Sequence, residues 1–111
     1  MSIDNQKKLK FDAEIQILKG KIDEVNQKIK YLESKQDENE NLNTLQIAAL
    51  YVDLVSIYCA MTDLSLNLLG YKNESYLDLG RKSLYKALIL MEGMLSNAID
   101  IPLNENYELL S

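Results

Sequence analysis

The sequence predicts an all-α protein in which a long N-terminal coiled-coil helix is followed by an antiparallel helical hairpin. Apolar residues recur at intervals of three and four in three long stretches, which is the periodicity of amphipathic helices. One Pro and four Gly in 111 residues leave few interruptions between these stretches. The length, with 47% hydrophobic and 26% charged residues, is typical of a single folded domain.

The first predicted element, residues 1–36, carries a heptad pattern. Seven apolar residues alternate at spacings of four and three, and Ile occupies each a position between them. In a parallel pair, Lys28 would lie close to Glu33 of the partner, and the other e and g positions are also polar. This narrow stripe predicts a homodimer. The predicted dimer interface consists of Phe11, Ile15, Leu18, Ile22, Val25, Ile29 and Leu32.

An intramolecular arrangement is the alternative for this helix. A three-helix monomer would pack the same stripe against the later helices of its own chain, although a helix that touches two neighbours usually shows a wider apolar face.

A polar connector, residues 37–43, separates the coiled coil from the predicted antiparallel hairpin of residues 44–101. Asn43 is a plausible cap for the first hairpin helix, and Gly70 is expected to end it. Ser75 and Asp78 have the spacing of a capping box, which predicts the start of the second hairpin helix.

The second hairpin helix carries more apolar surface than one contact can bury. Its predicted inner stripe consists of Leu77, Leu84, Leu88, Met91, Leu95 and Ile99. Small residues, including Gly80 and Ala87, run beside that stripe and would allow close packing. The remaining apolar positions, Leu79, Ile89 and Leu90, are a predicted partner surface. Pro102 should end the helix, and residues 102–111 form a C-terminal tail.

Two helices cannot enclose a core by themselves. The hairpin and tail comprise roughly 70 residues, a size at which a single core rarely supplies more than about 3–5 kcal/mol. We therefore expect two chains to dimerise into a helical bundle, with folding and association coupled.

Composition argues against most kinds of chemistry. The chain has no His and only one Cys, so it lacks the common catalytic bases and transition-metal ligands, and we expect no enzyme activity, metal or cofactor. Asp53 and Asp63 lie ten residues apart, about 15 Å along a helix, which is too far to act on one substrate atom. The net charge of -5 disfavours binding to nucleic acid.

A cytoplasmic location is expected, without membrane insertion. The first residues show no secretory signal, and the lone Cys59 fits a reducing compartment. The apolar stretch 42–69 contains Asp53 and Asp63, and each Asp costs roughly 2.5–3.5 kcal/mol near the centre of a membrane span.

The function expected from these features is that of a non-enzymatic protein–protein interaction module. It would act as a helical homodimer that holds another protein, as an adaptor, a scaffold or a small chaperone-like subunit. The alternative is a small helical ligand-binding protein or enzyme with a pocket in the bundle. An enclosed apolar pocket lined by Asp53 or Asp63 would favour this alternative, whereas a solid core with exposed Leu79, Ile89 and Leu90 would favour the interaction module.

Overall fold

Three helices account for most of the chain. A computed structural model describes the backbone of residues 2–35 and 40–99 and the side chains of residues 5–35 and 42–96. The helices are α1 (Ser2–Glu33), α2 (Glu40–Leu69) and α3 (Glu74–Ile99). The all-α prediction is therefore confirmed.

The helices form a flat arrangement, which we call the layer, with α2 at its centre. Helices α1 and α3 both pack against α2, and within the described ranges the backbones of α1 and α3 do not approach each other. The Cα trace measures 61 × 36 × 15 Å, so its smallest extent is less than half of the next. The chain therefore has two broad faces.

Large aliphatic side chains join α1 to α2. The buried cluster draws Ile15, Ile22, Val25 and Ile29 from α1 and Ile47, Leu54 and Met61 from α2. On α1 these residues fall on one stripe, and the rest of that helix is largely polar. The most apolar stripe of α1 therefore lies against α2.

Small residues join α3 to α2. Gly80, Ser83 and Ala87 are the buried positions of α3, at spacings of three and four. A Cβ atom built on Gly80 would lie 3.4 Å from the Cβ of Tyr58, which is ordinary van der Waals contact. The two backbones therefore approach closely along this stripe.

The turn between α2 and α3 is fixed by local hydrogen bonds. Gly70 has a φ of 80° and donates from its N–H to the carbonyls of Ser65 and Leu66, as in a helix C-cap, so the predicted end of α2 is confirmed. The hydroxyl of Ser65 donates to the carbonyl of Tyr71 over 3.0 Å. Ser65 is fully buried, and this bond satisfies its hydroxyl group.

The predicted start of α3 was wrong. The Asn73 side chain accepts a hydrogen bond from the N–H of Tyr76 over 3.2 Å, so Asn73 caps the helix in place of Ser75. The helix begins at Glu74 because the turn after Gly70 needs only three further residues.

The start of α2 also differs from the expectation. The helix begins at Glu40, within the predicted connector, and Asn43 lies inside its first turns. The side-chain amide of Asn43 donates a hydrogen bond to the carbonyl of Lys35 over 2.6 Å. Asn43 therefore ties the end of α1 to the start of α2. Residues 37–39 of the predicted connector, residue 36 before them and the tail, residues 102–111, lie outside the described residues.

Candidate interaction surfaces

The predicted dimer interface lies against α2 of the same chain. Four of its residues are buried in the cluster described above, and the other three, Phe11, Leu18 and Leu32, are partly buried beside it. The contacts of this stripe are therefore intramolecular, as in the alternative three-helix monomer. In that alternative α1 would touch both later helices, whereas its backbone here packs on α2 alone. Dimerisation itself stays a prediction. Two folded chains with this arrangement would have to associate through another surface.

The predicted inner stripe of α3 is largely exposed, so that assignment was wrong. Leu84 and Leu88 each keep 45% of their surface accessible, and Leu95 is also exposed. Leu77 and Met91 are half-buried. Helix α3 turns its small residues towards α2, and the neighbouring leucines are displaced to the side of the contact. The side chain of Ile99 lies outside the described residues.

One of the exposed leucines, Leu84, lines a groove between α2 and α3. The groove has a volume of about 170 Å³, and its walls include Val55 and Cys59 of α2 and Leu77, Arg81 and Leu84 of α3. Cys59 is an exposed free thiol. Val52 lies three residues before Val55 and is also exposed. We call the surface formed by Val52, Val55, Cys59, Leu77, Leu84 and Leu88 the apolar face.

A larger groove lies on the surface between α1 and α2. Its volume is about 630 Å³, and its walls include Glu24, Tyr31, Leu32, Ala49 and Leu50. It opens on the same side of the layer as the apolar face. The intervening ridge of α2 consists of exposed positions at spacings of three and four: Ala49, Val52, Ser56 and Ala60.

The opposite side of the layer carries two of the three residues of the predicted partner surface. Leu79 and Ile89 are exposed, at 41% and 49% of their surface. Leu90 differs, because it is half-buried and packs against the core cluster. It continues the buried stripe of α3 three residues after Ala87, which places it at the edge of the α2 contact.

A small groove of about 170 Å³ lies beside Ile89. Its walls include Glu33 from α1, Tyr51 from α2 and Lys86 from α3. The Lys86 Nζ atom lies 5.5 Å from the centre of the Tyr51 ring, within the range of a cation–π contact. Burial raises the pKa of Tyr51, and the nearby Glu33 carboxylate raises it further. We call this side of the layer, with Leu79 and Ile89, the Tyr51 face.

The two aspartates of α2, Asp53 and Asp63, are both exposed. Neither residue contributes to the walls of the groove between α2 and α3. In the part of the chain with described side chains, no group of three His, Cys, Asp or Glu residues could hold a metal ion.

Helix α2 is also long and apolar enough to be considered as a membrane span. By length and composition alone, its segment Leu42–Leu69 is apolar enough to cross a membrane. Core helices of soluble proteins meet the same criterion, and Asp53 and Asp63 interrupt this segment. The segment is apolar on the sides that face α1 and α3, and the exposed ridge between them contains Ala49, Val52 and Ala60 beside the polar Ser56.

Comparison with known proteins identifies the family of this chain. No curated protein and no solved structure matches the sequence. A family model matches residues 7–111, which include nearly all of α1 and the whole of α2 and α3. The chain therefore belongs to the TP0443 family.

Proposed function

We propose that this protein is a non-enzymatic protein–protein interaction module that works as a homodimer in the cytoplasm, as an adaptor, a scaffold or a small chaperone-like subunit. The observation that carries the proposal is the flat arrangement of the helices, which leaves large apolar side chains exposed on both broad faces. Soluble proteins rarely leave contiguous apolar patches uncovered unless another molecule binds them.

The Tyr51 face is the surface we assign to another protein. Ile89 and Leu79 are apolar anchors, and Lys86 is one of the basic residues that lie between them along α3. Interfaces of this kind combine a few buried apolar residues with a polar rim. The binding site is therefore expected to centre on Ile89 and the adjacent groove.

Capture from the native host with matched variants tests this assignment. Wild-type protein and a Leu9→Glu variant should retain the same captured protein, and Ile89→Glu should lose it. Leu9 is a suitable control because it is 68% exposed and lies on α1, whose backbone does not approach α3. Circular dichroism must show equal helical content in all three proteins. Retention of every captured protein by Ile89→Glu would contradict the assignment.

A ligand-binding role is a second candidate, favoured by the groove between α1 and α2. Its volume of about 630 Å³ falls within the range of about 300–1,000 Å³ that is usual for small-molecule sites. Ala49→Trp would fill this groove from its α2 wall. If the function were ligand binding, this variant should abolish it, whereas capture of a protein partner through Ile89 should be unaffected.

A further inference from the structure

The groove between α1 and α2 is partly apolar and large enough for several side chains. Leu32 and Leu50 are half-buried in its walls, and Tyr31 is 62% exposed beside them. Its volume of about 630 Å³ exceeds the volume of about 170 Å³ of the groove beside Ile89. Among these two grooves, only the larger one can therefore take a cluster of large apolar groups.

Helix α3 ends at the same end of the molecule as this groove. Gly80 lies close to Tyr58, and Lys86 lies close to Tyr51. A step towards the end of α3 is therefore a step of similar length towards the start of α2, as in an antiparallel pair. Continued to Ile99, this register brings the end of α3 level with the start of α2.

The chain beyond α3 is long enough to reach the groove. The α2 wall extends from Gln46 to Leu50, so its centre lies roughly 12 Å along the helix from the start of α2, at 1.5 Å per residue. The groove also lies between one and two helix spacings of about 8–10 Å to the side of α3. Residues 100–106 can extend over roughly 24 Å, which covers the combined distance of about 20 Å. The apolar residues Tyr107, Leu109 and Leu110 follow directly.

Charge favours α1 as the surface for this segment. Residues 100–111 contain three acidic residues and no basic residue. Residues 5–35 of α1 contain eight Lys and five acidic residues, a net charge of +3, whereas residues 42–69 and 74–96 together contain three basic and five acidic residues. Lys28 lines the groove, one turn after Glu24. The acidic end of the chain is therefore attracted to the one helix with an excess of positive charge.

We propose that Tyr107, Leu109 and Leu110 of the same chain bind in the groove between α1 and α2, with residues 100–106 as the connection from α3. The family model supports this assignment, because it extends through residue 111 and so includes the cluster. A tail bound there would exclude a small molecule from the groove. It would leave the Tyr51 face, on the other side of the layer, available to another protein.

Disulfide cross-linking of the full-length protein tests the position of the cluster. In a Cys59→Ser background, Ser111→Cys is combined with either Ala49→Cys or Glu33→Cys. Ala49 lines the groove between α1 and α2, and Glu33 lines the groove beside Ile89. Both are exposed and lie near the end of α3. With oxidised glutathione, the Ala49 pair should form its intrachain disulfide at least about tenfold faster than the Glu33 pair, because docking raises the local concentration of one thiol at the other.

Further substitutions in the Ala49 pair separate docking from chance collision. Tyr107→Asp should slow cross-linking by about tenfold, whereas Asn104→Asp adds the same charge in the connection and should not change the rate. Lys28→Glu should slow it by about two- to fivefold. Lys30→Glu is the matched control, since Lys30 is exposed and lies on another side of α1.

Three results would overturn the proposal. The first is cross-linking of the Glu33 pair as fast as that of the Ala49 pair. The second is a disulfide between chains, seen at twice the 12.7 kDa of one chain on a non-reducing gel, because the cluster would then bind to another copy. The third is slow cross-linking in both pairs with no effect of Tyr107→Asp, which would favour the ligand-binding candidate for the groove. If Ala49→Cys loses its helical structure, Gln27→Cys on the α1 wall replaces it. Capture of a partner through Ile89 is independent of all three results.

Discussion

The two contacts of α2 are built in different ways. Helix α1 presents isoleucine and valine, and those side chains are buried. Helix α3 presents Gly80, Ser83 and Ala87, and its leucines remain exposed beside the contact. In α1 the burial follows the apolar stripe, whereas in α3 it follows the size of the side chains. Helix α3 has two stripes, and the smaller residues make the intramolecular contact.

The largest expected effect comes from removing a side chain from the α1 contact. Ile29 is 4% exposed, and Ile17 on the same helix is 62% exposed. Ile29→Ala should lower the free energy of unfolding by about 2–5 kcal/mol, because it removes buried methyl groups and leaves a cavity. Ile17→Ala should change that free energy by no more than about 0.5 kcal/mol. Urea unfolding followed by circular dichroism measures both, and equal effects would contradict the burial of only one face of α1.

The α3 contact should be sensitive to the opposite change, an increase in size. Gly80→Leu should cost about 1–3 kcal/mol, since the added side chain must displace Tyr58 or separate the helices. Gly93 is the matched control, because a Cβ atom there meets nothing within 4 Å. Gly93→Leu should stabilise the protein by up to about 1 kcal/mol through better helix propensity. A stable Gly80→Leu variant would show that the backbones are not in close contact.

A smaller effect is expected at the start of α3. Asn73→Ala removes the helix cap and should cost about 1 kcal/mol. Ser75→Ala should have almost no effect, because Ser75 is exposed and lies after the start of the helix. Chemical denaturation of the two variants compares them directly, and the reverse order would restore Ser75 as the cap.

The smallest effect concerns two tyrosines at the helix contacts. Burial raises the pKa of Tyr58 and of Tyr76 above the ordinary value of 10.0. For Tyr76, the neighbouring Tyr71 adds to the rise. Since the folded state holds these protons more tightly than the unfolded state, the stabilisation is fully present below the ordinary pKa. It is lost as the pH rises through the folded-state pKa.

Tyr58→Phe isolates this contribution. The free energy of unfolding of the wild-type protein should fall more steeply than that of the variant above about pH 10. Urea titrations at several alkaline pH values give the two slopes. Parallel slopes would mean that Tyr58 has the same pKa in both states.

The sequence predicted the buried side of α1 because that helix has one apolar stripe on a polar background. It did not predict which stripe of α3 faces α2. Periodicity alone places the leucines and the small residues equally well, because it carries no information on the size of the side chains. The sequence also did not distinguish between Asn73 and Ser75 as the cap of α3, because both side chains can accept the required hydrogen bond. Which of them caps the helix depends on the length of the turn after Gly70.

For the interaction surfaces, the sequence identified excess apolar residues on α3 but assigned them partly to the wrong sides. Leu79 and Ile89 are exposed as expected. The exposure of Leu84 and Leu88 could have been recognised from Gly80 and Ala87, since small residues at contact spacing allow closer helix packing than leucine does.

The central position of α2 also divides the molecule into parts that can open separately. In the described residues the backbone of α1 contacts only that of α2, whereas α2 and α3 pack on each other and are joined by a short turn that is capped at both ends. Detachment of α1 therefore leaves the hairpin packed, whereas loss of α2 removes every backbone contact between the helices. Native-state hydrogen exchange should show this hierarchy, with α1 amides exchanging through a low-energy partial unfolding and α2 amides only through complete unfolding.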